Sequence, residues 1–294
     1  MRKIKVIFFI AVFIAFPSFA GELTAPVGYT KIKDGKGVDL YENTTKGVYV
    51  QVVDLQGGGQ ISFDGFPEVA DATKGTYKRF TMNNIYDYYN KKYNNFFSTI
   101  NGQFFDNGSA TTGVAFPVKS GGVIKSKVMS ESDKLLKKRT FLIDYNNNSY
   151  SVEGYNELNL TSKTYKEAIV GLHPVDADKN KSYAIGRNFI GVYPSYCNYP
   201  VSYCSSRYVL FFIAKNKTQD GMIAIASDWG VPSASLIMMD GSGSSQIMSK
   251  KINSNNTTTV YSLYGSTMPI YYNPDKRTLP HVILATDSNN LLAR

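Results

Sequence analysis

The chain has 294 residues, 43% of them hydrophobic and 19% charged, with a formal net charge of +9. Such a composition belongs to a folded globular protein and excludes a disordered tail, a collagen-like repeat and a small disulfide scaffold. Two His and two Cys are too few to build a zinc site from those residue types alone.

Residues 1–20 have the three parts of a secretory signal: Arg2, Lys3 and Lys5, then an apolar run over 6–16, then Ser18 and Ala20 as the small residues before a cleavage point. The run is too short to cross a bilayer core of ~30 Å as a helix. Cleavage after Ala20 is therefore expected, giving a secreted or periplasmic protein with no transmembrane segment. The remaining lysines are scattered among Asn and Tyr, and the tight basic cluster at 134–139 reads as a solvated face. No nucleic-acid partner is expected.

Residues 21–46, rich in Gly and Lys, read as a lead-in to one domain over 47–294. Residues 48–55 form a strand, ended by Gly57, Gly58 and Gly59. Thr81 caps a helix over 82–90 with Ile85, Tyr88 and Tyr89 on one face, and 96–100 is a buried strand. Gly121 and Gly122 turn a hairpin between 114–118 and 123–127, and a second hairpin joins 140–145 to 150–153.

Cys197 and Cys204 lie close together in a Pro- and Tyr-rich stretch. In an exported chain they are expected to pair, which stabilises by about 2.5 kcal/mol on a chain-entropy basis. Residues 208–215 form a long apolar strand. Asp220 caps a helix with Met222, Ile225, Ala226 and Trp229 on one side, Pro232 ends it, and a short apolar strand covers 236–239. With 22 Tyr and 17 Phe favouring strands, the predicted class is α+β: a single large domain with a mixed, strand-dominated sheet and few helices.

Nucleophile-elbow, Walker, zinc-protease and EF-hand signatures are absent, and no cofactor is called for. His173 and His281 each stand beside Pro and read as structural. The most informative segment runs Asp240, Gly241, Ser242, Gly243, Ser244, Ser245: a buried strand delivers an acid, and a Gly/Ser loop follows whose amides could form an anion nest. A plain hairpin turn with an Asx motif is the other reading.

Asn101 and Gly102 repeat that form, with an amide suited to sugar hydroxyls. Asp106 offers the second carboxylate that glycoside cleavage usually needs. Arg187 stands in an apolar stretch and must have an anionic partner, either an internal carboxylate such as Asp240 or a bound phosphate.

In order, these pieces resemble the phosphodiester glycosidase family. The resemblance spans about residues 48–290: Asn-Gly-x-Phe-Phe at 101–105, a Gly-containing hairpin at 113–124, Gly-x-x-Pro at 171–174, an Arg-x-x-x-Gly stretch at 187–191, the Asp-Gly loop at 240–245, and Arg-x-x-Pro at 277–280. It implies an exported hydrolase that cleaves a sugar from a sugar-1-phosphodiester. The candidates carried over by the resemblance are Asn101, Arg187, Asp240, Gly241, Ser244 and Ser245. The residues themselves add Asp106 as a second acid to a catalytic set of Asp240, Arg187 and Asn101, and Gly102, Ser242 and Gly243 to the backbone that would bind substrate or phosphate.

Ser242 replaces the family's middle glycine, Asn188 a Thr and Gln103 a small residue. A positive φ at Ser242 would cost on the order of 1 kcal/mol. A non-catalytic carbohydrate-binding or host-interaction protein on the same scaffold is the alternative.

Overall fold

The computed structural model describes residues 23–106, 108–126, 136–147, 149–193, 207–265 and 277–287, together with the backbone of two short strands at 196–197 and 204–205. The expected signal segment and the first two residues of the basic cluster at 134–139 lie outside the described residues.

Two antiparallel sheets stack face to face. The larger runs, in spatial order, Thr30–Gly35, Val38–Asn43, Val48–Asp54, Tyr208–Lys217, Ile185–Tyr193, Leu236–Met238, Glu167–Leu172, Lys138–Asp144 and Ser149–Gly154. The hairpin Val118–Ser120 and Val123–Ser126 attaches to it through Glu167–Leu172. The smaller runs Thr258–Tyr264, Gln246–Ile252, Phe96–Asn101, Val282–Thr286 and Gln60–Gly65.

The strand Tyr208–Lys217 shows why the layers form. Val209, Phe211 and Ile213 point into the core between the sheets, with Phe63, Phe97, Ile100 and Ile283 from the opposite sheet. Leu210, Phe212 and Ala214 point the other way, where Met222, Ile225, Ala226 and Trp229 cover them. A strand buried on both faces reads as a continuous apolar run. The helix Met82–Lys92 covers the outer face of the smaller sheet with Met82, Ile85, Tyr86 and Tyr89. The molecule is thus four layers, helix–sheet–sheet–helix.

The α+β, strand-dominated class is as expected, with three α-helices among the described residues. All described pairings are antiparallel rather than mixed. The supposed lead-in at 21–46 holds two strands of the main sheet. Lys31, Lys33, Asp34 and Asp39 on this edge hide its alternation, and edge charges of this kind block pairing with other chains. Tyr88 is exposed, and Tyr86 takes its place on the buried helix face. Thr218, not Asp220, caps the third helix, its hydroxyl accepting from the Gly221 amide at 3.0 Å. Cys197 and Cys204 face each other in the register of their short strands, while the pairing of their side chains lies outside the described residues.

One buried carboxylate ties three elements together. Glu167 accepts from the Phe63 amide (2.8 Å), the Gly121 amide (2.7 Å) and the Ser120 hydroxyl. Desolvation outweighs these bonds and lifts its pKa from 4.5 to about 7. Between those values the folded chain holds a proton that the unfolded chain releases, so stability falls as pH rises through the window. Urea unfolding should show a loss on the order of 3 kcal/mol from pH 4.5 to pH 8. In Glu167→Gln that slope should flatten.

Candidate active site

The strand Leu236–Met238 delivers Asp240 to the mouth of a cleft of about 90 Å³, whose walls include Phe104, Lys179, Arg187, Ser242 and Arg277. Asp240 is half-buried. Desolvation raises its carboxyl to about 6, against the Ser244 side chain, Arg277, the Gly241 amide and Lys179, all of which favour the ionised form. The Gly241 N–H donates to Asp240 Oδ1 at 2.9 Å. A carboxyl poised near 6 beside two cations suits proton transfer at neutral pH.

Asn101 comes to the same place but behind the wall. It is 1% exposed. Its Nδ2 donates to the Asp240 carbonyl at 2.9 Å, and its Oδ1 accepts from the Gln246 amide (3.0 Å) and from Asn188 Nδ2 (3.1 Å). It therefore fixes the strand ends and has no face for a sugar. Asn188 is half of that lock.

Gly102 likewise does not touch the cleft. A Cβ there would lie 2.1 Å from His281 Nδ1, so the glycine makes room for the imidazole. Asp106 is exposed, outside the cleft lining, with Oδ1 capping the Gly108 amide at 2.9 Å. The structure does not bring it into the lining that holds Asp240.

Arg187 resolves both alternatives left by the sequence. Its guanidinium is paired with neither a carboxylate nor an open anion site but with four backbone carbonyls: Lys217 (3.1 Å), Lys179 (2.9 Å), Tyr183 (3.0 Å) and Asn180. It pins the 179–183 loop that carries Lys179 into the cleft. The cation that sequence reasoning placed only in a terminal motif is Arg277. Its guanidinium lies 5.7 Å from the Phe105 ring, which Arg79 approaches from 5.1 Å. Arg277 Nε is buried with no hydrogen-bond partner among the described residues. The signal was present: an Arg beside Thr-Leu-Pro-His, a buried stretch that must return to the core.

The Asp240 loop holds a short 3-10 turn, Ser242–Ser244. Ser242 has φ +58°, the left-handed region. The loop packs tightly on Gly186, where a Cβ would meet the Ser242 carbonyl at 2.1 Å. Ser242→Gly should therefore stabilise by about 1 kcal/mol, read as a higher urea midpoint. The amides of Ser244 and Ser245 close on the Gly241 and Ser242 carbonyls, and the Ser245 hydroxyl is buried. Of the loop, Gly241 and Ser242 line the cleft, while Gly243, Ser244 and Ser245 are buried in its base.

Both histidines are structural, as expected. His173 Nδ1 accepts from the amides of Val175 (3.3 Å) and Asp176 (3.1 Å), and His281 is buried between strand ends. A larger hollow of about 400 Å³ lies elsewhere, lined in part by Asp39, Tyr41, Asp54 and Arg207. Its carboxylates are already held, Asp39 by Lys31 at 2.7 Å and Asp54 by Arg207 at 2.8 Å, so it offers no free acid. No cluster of three His, Cys, Asp or Glu able to hold a metal occurs among the described residues, and none of their helices is long and apolar enough to cross a membrane. No protein-family model matches the chain, and none of the curated proteins compared with it matches.

Proposed function

We propose that the protein is an exported phosphodiester glycosidase, with Asp240 as the general base and Arg277 and Lys179 as the cations that hold the phosphate. The observation that carries this reading is the meeting, in a single small cleft, of one perturbed carboxyl with Arg277, whose Nε has no hydrogen-bond partner among the described residues. Water attacks the anomeric carbon and gives its proton to Asp240. The bond from that carbon to the bridging oxygen breaks, and the oxygen leaves with the phosphate. A phosphate departs readily, so one carboxylate suffices and no second acid is required at the site. The cleft is smaller than the 300–1,000 Å³ of ordinary ligand pockets. It accommodates the phosphate, and the sugar lies at its mouth.

The test is incubation of the purified protein with a sugar-1-phosphodiester, following free sugar and phosphomonoester as paired products. Release of both in equal amounts is the expected result. Binding of the diester without either product would favour the non-catalytic alternative.

A further inference from the structure

The strand Gln60–Gly65 pairs with Val282–Thr286 through an irregularity between Val282 and Leu284. Such a bulge releases backbone groups from the ladder, and Phe63 uses both of its own elsewhere. Its N–H donates to Glu167 at 2.8 Å, and its carbonyl faces His281 Nε2 at 3.0 Å. The other imidazole nitrogen, Nδ1, accepts the N–H of Gln103 at 3.1 Å. These partners assign a neutral ring protonated at Nε2. Burial favours the same form and lowers the His281 pKa to about 4.

The N–H of Gln103 and the C=O of Gly102 belong to one planar peptide unit. That carbonyl accepts the amide of Asp240 at 3.4 Å. A single rigid plane therefore has the imidazole on one edge and the Asp240 backbone on the other. Turning the plane to lose one bond misdirects the other.

We infer that His281 is a positioning residue for Asp240, acting through the Gly102–Gln103 peptide. This rests on the reading of Asp240 as the general base. The ring serves as an acceptor at Nδ1, and its Nε2–H bond to Phe63 keeps that acceptor aimed. Proton transfer itself stays with Asp240, because the imidazole is sealed from the cleft by the strand end.

Two near-isosteric substitutions separate positioning from mere packing. His281→Asn puts an acceptor oxygen near the Nδ1 position, while His281→Gln reaches toward Phe63 and forfeits the bond to Gln103. Titration of the Asp240 carboxyl by carbon NMR needs no substrate, so its outcome is independent of whether the proposed reaction occurs. The parent and His281→Asn should titrate near 6, and His281→Gln should move toward the ordinary 3.8 as the loop admits water. Where turnover is measurable, kcat should fall about tenfold in His281→Gln and be rescued in His281→Asn. The same Asp240 titration in both variants would overturn the inference. Should neither variant fold, amide exchange in the parent decides. Gln103 and Asp240 amides opening together support it, and Gln103 exchanging as fast as an exposed loop overturns it.

Discussion

Asp240→Asn is expected to lower turnover of a sugar-1-phosphodiester by ~10³-fold, within the range for loss of a general base. The substitution is close to isosteric. Its amide oxygen still accepts from the Gly241 amide, and Asn101 still holds the backbone carbonyl at 2.9 Å. The fold should therefore survive. It should in fact gain stability at pH 8, because the native carboxyl, raised to about 6, costs stability once ionised. The sign is fixed by the raised value: below its ordinary 3.8 both states are protonated, and above that the unfolded chain releases its proton first.

In the parent, kcat/KM should rise with pH through about 6 as Asp240 ionises. A variant that is more stable and inactive fits a site that gives up stability for function. Undiminished turnover in Asp240→Asn would remove Asp240 from the chemistry.

The layers were legible where burial dictates residue type. Residues 208–217 carry Val209, Leu210, Phe211, Phe212 and Ile213 in succession because both faces of that strand are covered, and no loop tolerates such a run. The helix over Gln219–Asp228 was legible from the spacing of Met222, Ile225 and Ala226. Its cap was not, because both Thr218 and Asp220 can accept an amide. The choice falls to Thr218, whose backbone is extended (φ −69°, ψ 165°) while Asp220 is already helical. Edge strands are poorly legible for the opposite reason: Thr30–Gly35 carries charges that oppose association and erase the alternation.

The cleft was legible at Asp240, because a short apolar strand followed by Gly and Ser brings the acid to a loop at the strand's end, and Asp240 does line it. It was misread wherever a polar side chain serves the backbone. Asn101 at a strand end has the same chemistry toward a sugar hydroxyl as toward the Asp240 carbonyl, and only the buried position decides between them. Arg187 was read as needing an anionic partner, and its partners are neutral instead. Those partners are carbonyls of a loop at 179–183 and of Lys217, and carbonyls leave no trace in a sequence. Gly102, read as room for a ligand, is room for His281.

The two arginines of the cleft should separate cleanly. Arg187→Ala leaves the carbonyls of Lys217, Lys179, Asn180 and Tyr183 without their donor in a residue 2% exposed. Charged hydrogen bonds contribute roughly 1.5–3 kcal/mol each before compensation by water, so a loss of about 4 kcal/mol in urea unfolding is expected. Arg187→Lys should recover only a fraction, because one ammonium cannot span four carbonyls in the plane of a guanidinium. Arg277→Ala removes a group with no hydrogen bond to lose at Nε among the described residues and should unfold near the parent.

Its effect belongs instead to anion affinity: calorimetric titration with inorganic phosphate should weaken by about 10- to 100-fold, as for loss of a charge-assisted, partly buried contact. Arg187→Lys, where folded, should weaken phosphate far less than Arg277→Ala, since it acts only by placing the loop that bears Lys179. Equal phosphate affinity in the parent and Arg277→Ala would return the anchoring role to Arg187 or empty the cleft of an anion altogether.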